Sequence, residues 1–301
     1  VGIRRIAEAV EKRITSESRS RLQAYSAGVN AFIETHKGKY PVEFDLLRYD
    51  PEPWQPVHSI IIARLMAWEL NLSWWTDLTL GGIVERVGYD KAKQIFPTFP
   101  SNVAPIVPSA QWQKTMNAAL AFLETAQDYC NFRGIGGMLG GSNAWVIAPQ
   151  KSLSNSVILA NDTHLQLTNP SKWYEVKLKA PGYDVMGYSV PGVPGVAAGH
   201  NTNIAWGLTN VMADDADFYI EKIDSTDPKR YIYDGQSLPI TSREEEIHVR
   251  DDTTYYVIIR STHHGPIVTD IKTMLKKADL PFLASMRWTG AEVSDQIEAF
   301  Y

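Results

Sequence analysis

A single cysteine, Cys130, stands among 301 residues, so no internal disulfide can form. Such a chain suits the cytosol or a secreted bacterial enzyme equally well. With no paired base, Cys130 reads as an inert thiol. Long apolar runs are also missing. The longest, from Ile60 to Met66, is interrupted by Arg64, which leaves no membrane span. No basic run occurs, and 29 Lys+Arg against 34 Asp+Glu give a net charge of −5, which argues against nucleic acid as a partner. The chain has no Gly-x-Ser-x-Gly elbow, no His-Glu-x-x-His and no phosphate-cradling Gly-rich loop before a Lys. His263-His264 lacks the further Cys or His residues that zinc needs, and reads as a strand-end turn at His264-Gly265-Pro266. No signal peptide is visible. The chain opens at Val1 in what reads as mid-helix, so an N-terminal segment is expected to precede it.

What is present is ordinary globular material: 44% hydrophobic and 21% charged residues, enough for one large domain or two packed subdomains. Residues 1–130 read as mostly helical. Leu22, Tyr25, Val29, Phe32 and Ile33 recur at helical spacing, with Ser16 or Ser18 as the cap and Gly38 just past the end. Pro51, Pro53 and Pro56 make an extended linker, and Pro56 suits the first turn of a helix reaching about Leu70. Breaks are expected at Thr76 or Asp77 and in the Pro-rich stretch 97–108, and 110–127 read as another helix. Residues 131–141 form a Gly-rich spacer of the kind at which chains are cut. After it the pattern turns to short strands at 144–147, 157–160, 174–179, 204–209, 218–223, 246–249 and 255–260, and residues 292–301 read as a helix. Alternation over 246–250 predicts a half-buried strand. No internal repeat is visible.

One serine stands at the junction between spacer and strands, in Gly140-Gly141-Ser142-Asn143-Ala144-Trp145. Downstream come Asn161-Asp162-Thr163-His164, then Pro191-Gly192-Val193-Pro194-Gly195, Gly199-His200-Asn201, Ala205-Trp206-Gly207-Leu208-Thr209 and Asp214-Asp215-Ala216-Asp217. Upstream are Ala27-Gly28-Val29-Asn30-Ala31 and Pro53-Trp54. In order and spacing these blocks resemble the penicillin acylase family of N-terminal nucleophile hydrolases. The resemblance covers nearly the whole chain. It implies an α+β fold, the αββα sandwich of that class, here truncated. It further implies a helical α-subunit-like region (1–130), a spacer (131–141) and a β-subunit-like catalytic domain (142–301).

The chemistry has a physical rationale of its own. A serine hydroxyl needs a base. A free α-amine, with a pKa of roughly 7.7–8, is substantially neutral near neutral pH and can serve as that base. In the family, the serine hydroxyl attacks the preceding carbonyl, the resulting ester is hydrolysed, and the serine becomes N-terminal. By resemblance the cleaved bond is Gly141–Ser142 and the nucleophile is Ser142. His164 falls where members carry His or Gln, and either hydrogen-bonds or orients the nucleophile or is a structural residue. The Asn210 backbone N–H falls on one oxyanion donor. The second donor, a side-chain Asn, and a following Arg fall beyond Tyr301, so the chain is expected to be an inactive, truncated precursor.

The family also carries a structural calcium ion. Asp214, Ala216 (through its carbonyl) and Asp217 match its ligands, whose hard oxygens suit Ca²⁺. A carboxylate from the helical region completes the set, and the alignment puts Thr76 there, with Asp77 one residue off. Met66, Leu70, Leu165, Ala198 and Leu208 fall on acyl-pocket positions. Leu70, Leu165 and Ala198 replace three Phe of phenylacetyl-specific members, which predicts a roomier, aliphatic pocket. The expected enzyme is an amidohydrolase acting on a small N-acyl amide, a heterodimer cut from one precursor, periplasmic or secreted. The alternative is a non-catalytic, calcium-stabilised β-rich module binding carbohydrate or a protein partner, for which nine Trp residues would provide rings. Trp145 and Trp206 nevertheless lie in strand-like contexts that predict core packing.

Overall fold

The computed structural model describes residues 1–71, 73–94, 141–165, 167–270, 283–294 and 297–298. Cys130, the 97–108 stretch, the 110–127 helix and most of the glycine spacer lie outside these residues. The chain is α+β and folds into two compact units.

The first unit is drawn from Gly2–Leu70, Gly134–Val211 and Gly290–Tyr301. Its helices are α1 (Ile3–Glu11), α2 (Ser16–Thr35), α3 (Val42–Leu47) and α4 (Pro56–Leu70). Ile6, Ala7 and Val10 bury one stripe of α1, which packs on α4. The cap of α2 is Thr15, and not Ser16 or Ser18 as expected: its Oγ1 accepts from the Ser18 N–H at 3.1 Å. Leu22 is fully buried on α2, whereas Phe32 is 53% exposed. The helix α4 begins at Pro56 and ends at Leu70, as the sequence predicts. Asn30 ties α2 to the extended linker with two bonds to Trp54, its Oδ1 accepting from the backbone N–H at 2.7 Å and its Nδ2 donating to the carbonyl at 3.0 Å. This gives a physical reason for the two upstream sequence blocks.

Two antiparallel sheets complete this unit. One pairs β1 (Gly141–Ile147) with β2 (Ile158–His164). The other runs β3 (Tyr174–Ala180), β4 (Tyr183–Ser189), β5 (Ala198–Asn201), β6 (Ala205–Trp206) in that order. Gly187 and Gly199 are register partners. A Cβ on Gly187 would lie 2.1 Å from the Ala198 carbonyl oxygen, and one on Gly199 2.1 Å from that of Met186, so only glycine allows this approach. The turn between β4 and β5 needs Gly192 and Gly195, both at φ 99°. The Gly192 N–H is anchored on the Tyr25 hydroxyl at 3.1 Å. Trp206 donates to the Val196 and Ala197 carbonyls. Trp145, expected in a core, is 56% exposed, because β1 pairs with β2 alone among the described residues.

The second unit is drawn from Asn71–Arg133 and Met212–Thr289. Among its described residues the helices are α5 (Ser73–Val87) and α6 (Tyr89–Ala92), and α5 runs straight through the break predicted at Thr76 or Asp77. A four-stranded antiparallel sheet has the order β12 (Leu283–Trp288), β7 (Ala216–Asp224), β8 (Asp227–Tyr233), β9 (Gln236–Pro239). The remaining hairpin joins β10 (Thr241–His248) to β11 (Thr254–Ser261). The predicted half-burial of 246–250 is not met: Ile247, Val249 and Ile258 are exposed, since β10 and β11 pair only with each other among the described residues. The predicted 292–301 helix is also absent over Glu292–Ser294, where the backbone is irregular.

Candidate active site and cavity

The first unit brings the residues around Ser142 together through the register of β1 and β2. Gly141 opposes His164 and Ser142 opposes Thr163. Opposed residues share a sheet face and neighbours alternate, so Ser142 and Thr163 point one way and His164 the other. The Ser142 face borders a cavity of about 400 Å³, lined also by Met66, Leu70, Thr163, Leu165, Leu208 and Asn210. His164 lies across Gly141 instead: a Cβ on that glycine would be 3.7 Å from His164 Nδ1. Its Nε2 is 2.7 Å from Asp162 Oδ2. From the sequence, His164 is expected either to hydrogen-bond or orient the nucleophile or to be structural. The pleat puts ring and hydroxyl on opposite faces.

Four of the five acyl-pocket candidates, Met66, Leu70, Leu165 and Leu208, line this cavity. Ala198 does not: it is 1% exposed within β5, and its neighbour Ala197 lines the cavity in its place. Adjacent residues of an extended chain face opposite ways, so a one-residue offset is enough to exchange them. Asn210 is fixed by its side chain, whose Nδ2 donates to the Leu70 carbonyl at 2.8 Å.

Two polar residues of this site had no role in the sequence reading. Asn161 joins three segments. Its Oδ1 accepts from the Tyr188 hydroxyl at 2.7 Å and the Leu208 N–H at 3.0 Å. Its Nδ2 donates to the Asn143 carbonyl at 2.9 Å and the Leu208 carbonyl at 3.0 Å. Arg64, buried at the cavity wall, donates to the Gly290 carbonyl at 3.1 Å and the Ser294 carbonyl at 2.7 Å. Asn161 was visible as part of a sequence block, but nothing in its type or spacing announces a four-bond hub. Arg64 showed only as a charge interrupting an apolar run.

The acidic residues belong to the second unit. Burial, then Asp214, then Asp217, push the Asp77 carboxyl up from 3.8 to about 7. Burial and the neighbouring Asp217 and Asp215 push Asp214 up as well. Asp77 therefore feels the acidic run. Mutual repulsion among hard carboxylates is relieved by a bound cation, so the donor chemistry fits Ca²⁺. The spacing is looser: among the described residues no three His, Cys, Asp or Glu side chains converge as a ready-made metal cluster. Asp215 is structural, accepting from Ser73 Oγ at 2.9 Å and Trp288 Nε1 at 3.3 Å. Ala216 opens β7, and its backbone N–H donates to the same Ser73 oxygen at 3.1 Å.

Comparison with known proteins decides the family. The sequence profile described as Penicillin amidase matches residues 1–301. The chain belongs to the penicillin amidase family. Acyl-homoserine lactone acylase QuiP of Pseudomonas aeruginosa is 30% identical over 272 residues, covering 89% of this chain and 32% of that protein. Penicillin acylase 2 proenzyme of a Pseudomonas species is 28% identical over 320 residues, covering 99% of this chain and 40% of that one. The chain thus spans about a third of the length of the curated relatives it matches. A thermostable penicillin G acylase structure from Alcaligenes faecalis overlaps 48% of this chain and 25% of its own at 27% identity. Its TM-score is 0.42, too loose to bear on the fold. Membership of a family whose relatives are named acylases disfavours a stand-alone binding module. No helix among the described residues is long and apolar enough to cross a membrane.

Proposed function

We propose that this chain carries the nucleophile, acyl pocket and cleavage site of an N-terminal serine amidohydrolase, which removes the acyl group from an N-acyl amide. The carrying observation is that Ser142, directly after Gly141, lines an apolar cavity together with Asn210. Cleavage of Gly141–Ser142 frees an α-amine beside the Ser142 hydroxyl, so nucleophile and base arrive on one residue. The Asn210 backbone N–H is the proposed donor to the tetrahedral oxyanion. One relative is itself named a proenzyme, which supports the self-cleavage reading. The proposed product is a heterodimer of the 1–130 and 142–301 regions in the αββα sandwich, periplasmic or secreted.

Leucine and methionine on the cavity wall support a linear aliphatic acyl group. The preference would come from burying the chain against this apolar wall, where each buried CH₂ contributes roughly 0.8 kcal/mol. Asp77, Asp214, Asp217 and the Ala216 carbonyl would hold the calcium ion, which supplies positive charge to neutralise the acidic run and has no part in the chemistry of Ser142. The reading is tested by making the full-length protein and its Ser142→Ala variant. Two chains with Ser142 at a new N-terminus, and a single intact chain for the variant, are the expected results. An uncut but active wild type would overturn it.

A further inference from the structure

We infer that the turn after β11, residues 262–265, is an acid-sensitive latch: a single hydroxyl on β8 holds it while His263 is neutral, and the turn lets go when His263 takes a proton. This goes beyond the amidohydrolase reading and does not depend on it.

The turn is closed by its own backbone. The Thr262 N–H donates to the Gly265 carbonyl at 2.9 Å, and Ser261 bridges to Pro266. Beyond it the chain runs beside β12, where the Met286 N–H donates to the Pro266 carbonyl at 3.0 Å. Two histidine rings at its tip reach across to the neighbouring strands. His264 stacks on Tyr219 of β7, centroids 3.8 Å apart, and its Nδ1 lies 3.0 Å from Glu221 of the same strand. His263 packs on Tyr233 of β8 at 4.0 Å and on His264 at 3.7 Å.

The latch is the Tyr231 hydroxyl. Tyr231, on β8, is 2% exposed. Its oxygen accepts from the His263 backbone N–H at 3.0 Å and lies 2.8 Å from His263 Nδ1. A hydroxyl has one proton to give. With the backbone N–H already on the oxygen, that proton goes to Nδ1, which must offer a lone pair. His263 is therefore neutral, with its ring proton on Nε2. Acid puts a proton on Nδ1 as well. Two donors then point at one oxygen, and the Tyr231 proton has no other acceptor among the described residues. A buried donor left unpaired costs more than an ordinary hydrogen bond contributes. The ring escapes that cost by leaving Tyr231, and it takes the turn with it.

The surroundings push the same way. The titratable groups facing His263 are Tyr219 and Glu221 from β7, Tyr231 and Tyr233 from β8, Arg287 from β12 and His264 beside it. Desolvation among the rings, then His264, hold His263 below its ordinary 6.5; Glu221 opposes them and Arg287 adds to them. His263 is exposed at its outer edge, so solvent can supply the proton. A histidine whose folded pKa is depressed binds its proton better once released. The latch is therefore fully closed above about pH 6.5 and weakens as pH falls below it.

The test is hydrogen–deuterium exchange of the full-length protein at pH 8 and pH 5. Mass spectrometry reads the peptide covering 262–268, and rates are corrected for the intrinsic pH dependence of exchange. Wild type is compared with His263→Asn, whose carbonyl can accept from the Tyr231 hydroxyl but cannot titrate. The two should match at pH 8. At pH 5 the wild-type peptide should exchange roughly two- to tenfold faster, as for one lost hydrogen bond. Other groups that titrate in this range, Asp77 among them, are common to both proteins and cancel. Tyr231→Phe keeps the ring and removes only the hydroxyl, so its peptide should exchange at pH 8 as fast as wild type does at pH 5. Equal rates for wild type and His263→Asn at pH 5 overturn the proposal. So does a Tyr231→Phe peptide as protected at pH 8 as that of wild type.

Discussion

Replacing Asn161 with Ala should loosen the ground on which Ser142 and Asn210 stand. The side chain makes four hydrogen bonds of 2.7–3.0 Å, joining Asn143 one residue after the nucleophile to Leu208 two residues before Asn210. A net contribution of about 0.5–1.5 kcal/mol per bond would give up to ~6 kcal/mol. Asn161 is half-buried, so water replaces part of what is lost, and about 2–3 kcal/mol is the expected cost. Differential scanning calorimetry in a Ser142→Ala background keeps cleavage out of the measurement. At roughly 2–4 °C per kcal/mol, the melt should fall by ~4–12 °C. Asn161→Asp is nearly isosteric but turns both donations into carboxylate–carbonyl repulsions, so it should cost at least as much. With Ser142 restored, both variants should self-cleave at least tenfold more slowly. Melts within 1 °C of the parent for both would refute the view that this residue holds the site.

Three further outcomes concern other parts of the molecule. Asp77 is a carboxyl whose folded pKa is raised to about 7 from 3.8, so the folded state holds its proton more tightly than the unfolded one. Its favourable contribution is full below pH ~3.8 and is lost as pH rises through about 7, by at most ~4 kcal/mol. Calcium-free protein should therefore melt lower at pH 8 than at pH 5. Asp77→Asn should flatten that trend, and added Ca²⁺ should raise the pH 8 melt of the wild type only. In the second unit, buried Glu221 accepts from Thr262 Oγ1 at 2.6 Å, His264 Nδ1 at 3.0 Å and the Ser285 hydroxyl. Glu221→Ala should cost about 3 kcal/mol in a calorimetric melt, and a loss below 1 kcal/mol would contradict that accounting. In full-length enzyme, octanoyl amides should turn over at least about tenfold faster than phenylacetyl amides, and faster phenylacetyl turnover would sink the aliphatic reading.

The parts of this protein written in local chemistry could be read from its sequence. Pro56 and Leu70 bound their helix as predicted, and the blocks around Trp54, Gly192 and Gly199 mark a clamp, a turn and a close strand approach. Ser142 and four of the five acyl-pocket candidates line one cavity. What failed was mostly parity and partnership. Whether Ala197 or Ala198 faces the cavity depends on a register that only the pairing of β5 with β4 reveals. The strand at 183–189 was missed because Gly187 and Asp184 weaken its β signal, although its pairing on both edges stabilises it. The break expected at Thr76 and Asp77 gave way because Ser73, bonded to Asp215, anchors the start of α5. Half-burial of β10 was read from alternation alone, which reports a capacity to pack and not a packing partner.

The central claim is that Ser142 becomes a chain terminus and then does chemistry with its own amine. Intact-mass and N-terminal analysis of purified full-length protein tests it most directly. The account predicts a chain beginning at Ser142, its loss together with all acylase activity in Ser142→Ala, and a single uncut chain in that variant. Acylase activity in a protein whose Gly141–Ser142 bond remains intact would contradict it.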